Sequence, residues 1–302
     1  MTPDPILTMS YDFCARVARR HAKNFYPSFL LLPRDLRSSM CALYAFMRQT
    51  DDIADEPGPA DGRVRALDIW RHDLDAAIEG HHGEWQGWPA LADSIGRHSI
   101  PVRHLHEVID GVAMDLNPIV FATYNELRVY CHHVASAVGL CCIHIWGFRP
   151  EGGRAESMAK SCGIALQLTN IIRDVGEDAR NGRVYLPEED LEQFGVTRSD
   201  LLGESANGRL KRLLAFQSQR AYEEYDRATP LAGLIDPVGR PVLLTISGIY
   251  RALLDAIVKR DYEVLSQRVS VPGWRKASIA AGAFVRRFDP RDVSEMEARS
   301  IR

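Results

Sequence analysis

Residues 155–187 read AESMAKSCGIALQLTNIIRDVGEDARNGRVYLP. The apolar members Met158, Ile164, Leu166, Leu168, Ile171, Ile172 and Val175 recur at helical rather than alternating spacing, which predicts one long helix ending near Asn181-Gly182. At about 100° per residue, Gln167, Asn170, Asp174 and Asp178 fall within about 80° of one another on that helix. Three oxygen donors able to hold a metal therefore share one face. Carboxylates one turn apart repel, and more strongly when partly buried, unless a cation sits between them. A plain solvated face is the alternative for a lone Asp-x-x-x-Asp.

A second acidic helix upstream changes that balance. Residues 34–56 read RDLRSSMCALYAFMRQTDDIADE, with Pro33 and Asp35 as start signals, Pro57-Gly58 as a stop, and Leu36, Met40, Leu43 and Met47 at helical spacing. Here Tyr44, Arg48, Asp51 and Asp55 lie within about 60° of one another. Two long, mostly apolar helices thus each carry an Asp-x-x-x-Asp pair. An oxygen-only donor set with no His or Cys at matching spacing suits a hard cation, and Mg²⁺ in particular favours one or two carboxylates plus substrate phosphate. Facing one another across a bundle, the two stripes would hold diphosphate through bridging metal, with an apolar remainder for something greasy.

The runs Tyr44-Ala-Phe-Met-Arg-Gln-Thr-Asp51-Asp-Ile-Ala-Asp55 and Gln167-Leu-Thr-Asn170-Ile-Ile-Arg173-Asp174-Val-Gly-Glu177-Asp178 closely resemble the two aspartate-rich signatures of the squalene/phytoene synthase family. Asn181-Gly-Arg183-Val-Tyr185-Leu-Pro187 resembles the segment that follows the second signature, and the likeness runs from about His21 to about Arg268. The resemblance implies an all-α isoprenoid synthase bundle, one domain over residues 1–302, and Mg²⁺-dependent head-to-head coupling of two prenyl diphosphates. It places Asp51, Asp55, Asn170, Asp174 and Asp178 on the metal. Tyr44, Arg48 and Tyr250, the last in Gly248-Ile-Tyr250-Arg, join the carboxylates as catalytic candidates. His21, Lys23, Asn24, Gln167, Arg173, Arg183, Tyr185 and Arg268 are the further substrate contacts. Many members carry Ser where this chain has Asn24, which keeps a donor and an acceptor. Arg173 and Arg183 can instead neutralise a neighbouring carboxylate.

The expected substrate is farnesyl diphosphate, giving presqualene diphosphate and a C30 product. Geranylgeranyl diphosphate, giving phytoene, is the alternative, with chain length set at the far end of a tunnel near Phe29 or Cys41. A class I terpene cyclase or a non-catalytic helical assembly factor would use similar helices. NADPH stays open: no G-x-G-x-x-G follows a strand, but reducing members of the family lack that fingerprint too.

The rest of the chain adds bounds. With 46% hydrophobic and 25% charged residues, the 302-residue chain has an ordinary globular composition. A net charge of −3 offers nucleic acid no global attraction, so phosphate must be handled locally. The six cysteines show no C-x-x-C pair and read as reduced core residues of a cytoplasmic protein. Neither a signal peptide nor a transmembrane helix is expected. Residues 124–147 predict a long helix whose centre, Ala135-Ser-Ala-Val-Gly139, is small enough for either close helix packing or a tunnel wall. Cys131-His132-His133 is rejected as a metal site because helix neighbours point different ways. Asp110 and Asp115 are read as ordinary helix carboxylates. Trp274-Arg-Lys276 and Arg286-Arg287 flank a weakly amphipathic tail, which is either a solvated last helix or a peripheral contact with an anionic membrane. Oligomeric state has no signal in the sequence.

Overall fold

The computed structural model describes residues 4–22, 25–116 and 120–286, and the expectations for Lys23, Asn24 and Arg287 fall outside them. The chain runs through α1 (Pro5–His21), α2 (Tyr26–Phe29), α3 (Arg34–Asp55), α4 (Ala60–Ile78), α5 (Trp88–His98), α6 (Val102–Met114) and α7 (Tyr124–Cys131). After a π-helical turn (His132–Ser136) come α8 (Ala137–Trp146), α9 (Arg154–Arg180), α10 (Glu188–Phe194), α11 (Arg198–Leu201) and α12 (Gly208–Ala228). A 3₁₀ turn (Thr229–Gly233) leads to α13 (Arg240–Lys259) and α14 (Gly273–Val285). Among the described residues the only extended pairing is a single bridge between Phe148 and Ile235.

Helix ends follow local chemistry. Asp4 Oδ1 accepts the Ile6 amide at 2.9 Å and Pro5 opens α1, while Asn207 Oδ1 accepts the amides of Arg209 and Leu210, both at 3.0 Å. Gly182, at φ +81°, turns the chain after α9 where a side chain would be strained. Leu168 and Ile172 of α9 are 1% and 0% exposed, so each contributes about 1.5–3 kcal/mol of burial.

Two apolar cores result. One gathers α1, α3, α4, α5, α6 and α8 around Phe46, Trp70 and Trp88; the other gathers α7, α9, α10, α12 and α13. The N-terminal part of α9 (Ala155, Ala159, Cys162) enters the first core and the remainder enters the second, so this helix joins both. α3 packs on α1, α4, α5, α6 and α8, whereas α9 packs on α8, the π turn, α12 and α13. The two acidic helices are therefore spaced by α6 and α8.

The stretch read as one helix over 124–147 is interrupted by the π turn, and its small centre packs closely against α6 and α9. A methyl group added to Gly163 of α9 would lie 2.5 Å from Ser136 Cα, and one added to Gly111 of α6 would lie 2.9 Å from Val134 Cγ1. Glycines on both sides thus grip the π turn, and Ser136 Oγ donates to the Lys160 carbonyl at 2.7 Å. Tyr124–Trp146 and Arg240–Lys259 are each long and apolar enough to cross a membrane by length and composition, a test that the core helix of a globular protein also passes. Of their apolar windows, 56% and 44% are buried within the fold. All six cysteines are buried and unpaired, as expected.

Candidate active site

The α3 stripe is held from behind by an aromatic cluster. Trp70 packs on Phe46 and Trp88 (centroids 5.6 and 4.3 Å), and its Nε1 donates to Thr50 Oγ1 at 2.9 Å, one residue before Asp51. Thr50 Oγ1 in turn donates to the Phe46 carbonyl, and Arg63 donates to the Ala54 carbonyl at 3.0 Å. The turn bearing Asp51 and Asp55 is therefore fixed on its inner side. Arg48, expected to face substrate, forms an ion pair with Asp52 one turn on, and its Nε is buried without a partner among the described residues.

Asp51 keeps surface open to water, yet enough protein surrounds it at longer range that its carboxyl is pushed up to about 7. Desolvation is the main cause; Arg48 opposes it, and Asp55, Asp52 and Asp115 reinforce it. On α9, Asp178 is likewise pushed up to about 7, by desolvation first, then by Asp174 and Glu177, against Arg183, with Asp115 adding to the rise. Asp115 acts on both carboxyls. Burial raises its own pKa, two tyrosine hydrogen bonds and Arg183 lower it, and Asp55 raises it again. One carboxylate at the end of α6 thus lies near enough to feel the charge of both acidic stripes.

Asp115, an ordinary helix carboxylate by sequence, is instead the centre of a hydrogen-bonded cluster. Tyr130 donates to both its oxygens (3.1 and 3.2 Å) and Tyr185 to one (3.2 Å), with the two rings stacked at 5.3 Å. Tyr185, expected to touch substrate, is 8% exposed and spends its hydroxyl on Asp115. Arg183 lies beside Tyr185, Asp115 and Asp178, at the acidic end of α9 as expected.

Asp174 is held more tightly than the sequence suggests. Arg173 grips it through Nε at 2.7 Å and through Nη2, and Arg268 reaches in from the segment after α13 at 3.0 and 3.2 Å. Burial alone would raise this carboxyl, but the two guanidinium groups outweigh it and hold the pKa below the usual range. Both arginines expected on substrate therefore bind an expected metal ligand. Arg268, with a side chain 59% exposed, is the partner freer to swing away.

Beside Asp174 lies a cavity of ≈ 270 Å³ with Asn170, Arg173, Arg268 and Lys276 at its polar end and Phe25, Ile246 and Leu253 among its apolar walls. Tyr250 lines it, its ring stacked on Phe25 (6.3 Å, 14°) and its hydroxyl hydrogen-bonded to Asn170. Asn170 Oδ1 is buried with no partner among the described residues. Tyr44 and Gln167 are half-buried on their stripes. His21 ends α1 in the open, making no hydrogen bond or ion pair with the described residues. A larger groove of ≈ 610 Å³ between α1, α3 and α5 carries Arg19, Arg34, Arg37 and Arg97 and none of the stripe residues, so it stands apart from this chemistry.

The donor set fits a hard divalent cation: crowded carboxylates held near neutrality and an orphaned amide oxygen all gain from one. Among the described residues, no three His, Cys, Asp or Glu side chains already converge on a point. A cation here would complete its shell with ligand or water oxygens, which is the Mg²⁺ habit.

Residues 18–275 match the family model described as squalene/phytoene synthase. The chain belongs to that family. Members of the squalene/phytoene synthase family join two prenyl diphosphates head-to-head, and this chain is such a prenyltransferase. It is 36% identical to phytoene synthase of Arthrospira platensis over 278 residues, covering 88% of this chain and 90% of the relative. It is 35% identical to phytoene synthase of Mycobacterium bovis, with 92% and 91% covered. A solved dehydrosqualene synthase superposes with TM-score 0.84 at 29% identity, covering 93% of this chain and 98% of that one. Squalene synthase HpnC of Alicyclobacillus acidocaldarius gives 0.79 at 30% identity, covering 85% and 96%. The all-α isoprenoid synthase fold expected from the aspartate signatures is the fold observed.

Proposed function

We propose that this chain is a phytoene-type synthase that couples two geranylgeranyl diphosphates to a C40 hydrocarbon. The observation that carries this reading is the run of phytoene synthases among its relatives at 34–36% identity over nearly the whole chain. It displaces farnesyl diphosphate, the first expectation from sequence. Farnesyl coupling to a C30 product remains the second reading, favoured by the names of the two superposing structures.

In the first half-reaction, diphosphate leaves C1 of one substrate, the double bond of the second captures the allylic cation, and a proton is lost as a cyclopropane closes. Loss of the second diphosphate and rearrangement then give the 1–1′ linkage. Mg²⁺ bound by Asp51, Asp55, Asn170, Asp174 and Asp178 would neutralise diphosphate charge and stabilise the leaving group. The chain's own groups do the remainder. Arg173, Arg268 and Lys276 surround the polar end of the cavity and suit phosphate oxygens. The faces of Tyr250 and Tyr44 offer negative quadrupole to a cation, and apolar walls keep water from quenching it. Asp115, oriented by two phenols, supports the array between the stripes.

The test is incubation with farnesyl or geranylgeranyl diphosphate and Mg²⁺, with and without NADPH, followed by mass analysis of lipid extracts. A C40 hydrocarbon formed without reductant is expected, because termination by proton loss is redox-neutral. A C30 product alone moves the assignment to the second reading. A cyclic C15 product or a head-to-tail diphosphate overturns both.

A further inference from the structure

α14 reads Gly273-Trp-Arg-Lys-Ala-Ser-Ile-Ala-Ala-Gly-Ala-Phe-Val285 and contains no acidic residue. Its inner side is committed. Ile279 meets Gly248 of α13 at 2.9 Å from where a Cβ would stand, Ala283 is buried, and Lys276 lines the cavity beside Asp174. Its outer side is open among the described residues. Trp274 is 74% exposed and Val285 70%. At about 100° per residue, Trp274, Ser278, Ala281 and Val285 fall in an uncharged arc of about 60°. Ala277 and Phe284 extend that arc on one flank, and Arg275 and Arg286 border it on the other, all four exposed.

An outward arc of Trp, Ala and Val edged by cations matches two features of a lipid surface at once: an apolar layer and anionic headgroups. Tryptophan has the ring that settles at the headgroup level. At 13 residues α14 is about 20 Å long, too short to span a bilayer but suited to lying in its plane. The same helix carries Lys276 into the cavity, so a membrane under its outer face would lie beside the site's apolar wall. We infer that α14 docks this protein on an anionic membrane, seating Trp274 and Val285 in the boundary layer with Arg275 and Arg286 against lipid phosphates. Greasy substrates and a greasier product, on the function proposed above, would then exchange with the bilayer without crossing water.

Full-length protein is mixed with phosphatidylcholine vesicles, with and without phosphatidylglycerol, and binding is read by flotation and by the tryptophan emission shift. Trp274 is the indole set to respond, since Trp70, Trp88 and Trp146 are at most 5% exposed and Trp85 is half-buried in the aromatic cluster; the part of the shift lost in Trp274→Ser is its own. The expected result is salt-sensitive binding that needs phosphatidylglycerol, weakened at least about tenfold by Trp274→Ser with Val285→Ser. Arg275→Glu with Arg286→Glu should remove the salt-sensitive part. Both double variants should keep wild-type turnover of detergent-dispersed substrate. Three results overturn the inference: no vesicle binding, binding that ignores the double variants, or a solution dimer that Trp274→Ser dissolves, which would assign the face to a second copy. A Trp274 already shielded from quencher without vesicles overturns it too, by showing the face covered by the chain itself. Vesicle binding without any prenyl turnover would leave the docking intact and refute the function.

Discussion

Gly163→Ala puts the joint between α9 and the π turn to a direct test. The added methyl would sit 2.5 Å from Ser136 Cα and 2.6 Å from Ser136 N, both backbone atoms that no rotamer change can move aside. Reaching ordinary contact near 3.4 Å requires the two backbones to part by roughly 0.9 Å. Overpacking of this kind costs about 1–3 kcal/mol, which for a chain of this size lowers Tm by about 2–5 °C. The functional cost should be larger, because α9 carries Asn170, Asp174 and Asp178, and a misplacement near 1 Å can cost about 10²-fold in rate. Differential scanning calorimetry and steady-state kinetics on the same preparation read both quantities. Gly163→Ala with wild-type Tm and wild-type kcat/KM would refute the idea that this contact sets the spacing of the stripes.

Asp51→Asn or Asp174→Asn should nearly abolish Mg²⁺-dependent turnover with the far-UV circular dichroism unchanged; wild-type rates in both would end the metal assignment. Asp115→Asn, which keeps the shape but removes the charge between the stripes, should lower kcat by about 10–100-fold, as loss of a supporting partner does. Tyr185→Phe, removing one of three hydrogen bonds to Asp115, should do less, and equal effects would contradict the network. Because Asp51 and Asp178 are raised to about 7, the metal-free protein still holds protons there in mildly acid solution, and a cation must displace them. Mg²⁺ affinity should therefore fall as pH drops through about 7, and calorimetry in buffers of different ionisation enthalpy should find protons released at about pH 6. Proton-neutral binding there would show that those carboxyls are not raised.

The helices were legible because each carries apolar residues at its own period with Pro, Asp, Asn or Gly at the ends. The stripes were legible for the same geometric reason. What periodicity could not show is where two stretches meet. The π turn inserts its extra residue without altering composition, so 124–147 reads as unbroken. Asp115 is a lone acid at a helix end, and the tyrosines that orient it lie 15 and 70 residues away. Lys276 reaches the cavity from a helix whose sequence speaks mainly of its outer face. Arg173 and Asp174 are adjacent, so their helix positions diverge by about 100°, yet the long arginine stem folds back to close the pair. Packing distance and side-chain reach, not element type, carried the missing information.

The double clasp on Asp174 gives the site a particular entry logic. A diphosphate headgroup competes for the guanidinium groups of Arg173 and Arg268, and each arginine it recruits uncovers a carboxylate that then wants a replacement positive charge. A divalent ion meets the mirror-image difficulty, since the oxygen it seeks is occupied until something negative draws an arginine off. Each guest removes the obstacle facing the other, so headgroup and ion should strengthen one another's hold and arrive as partners rather than in sequence.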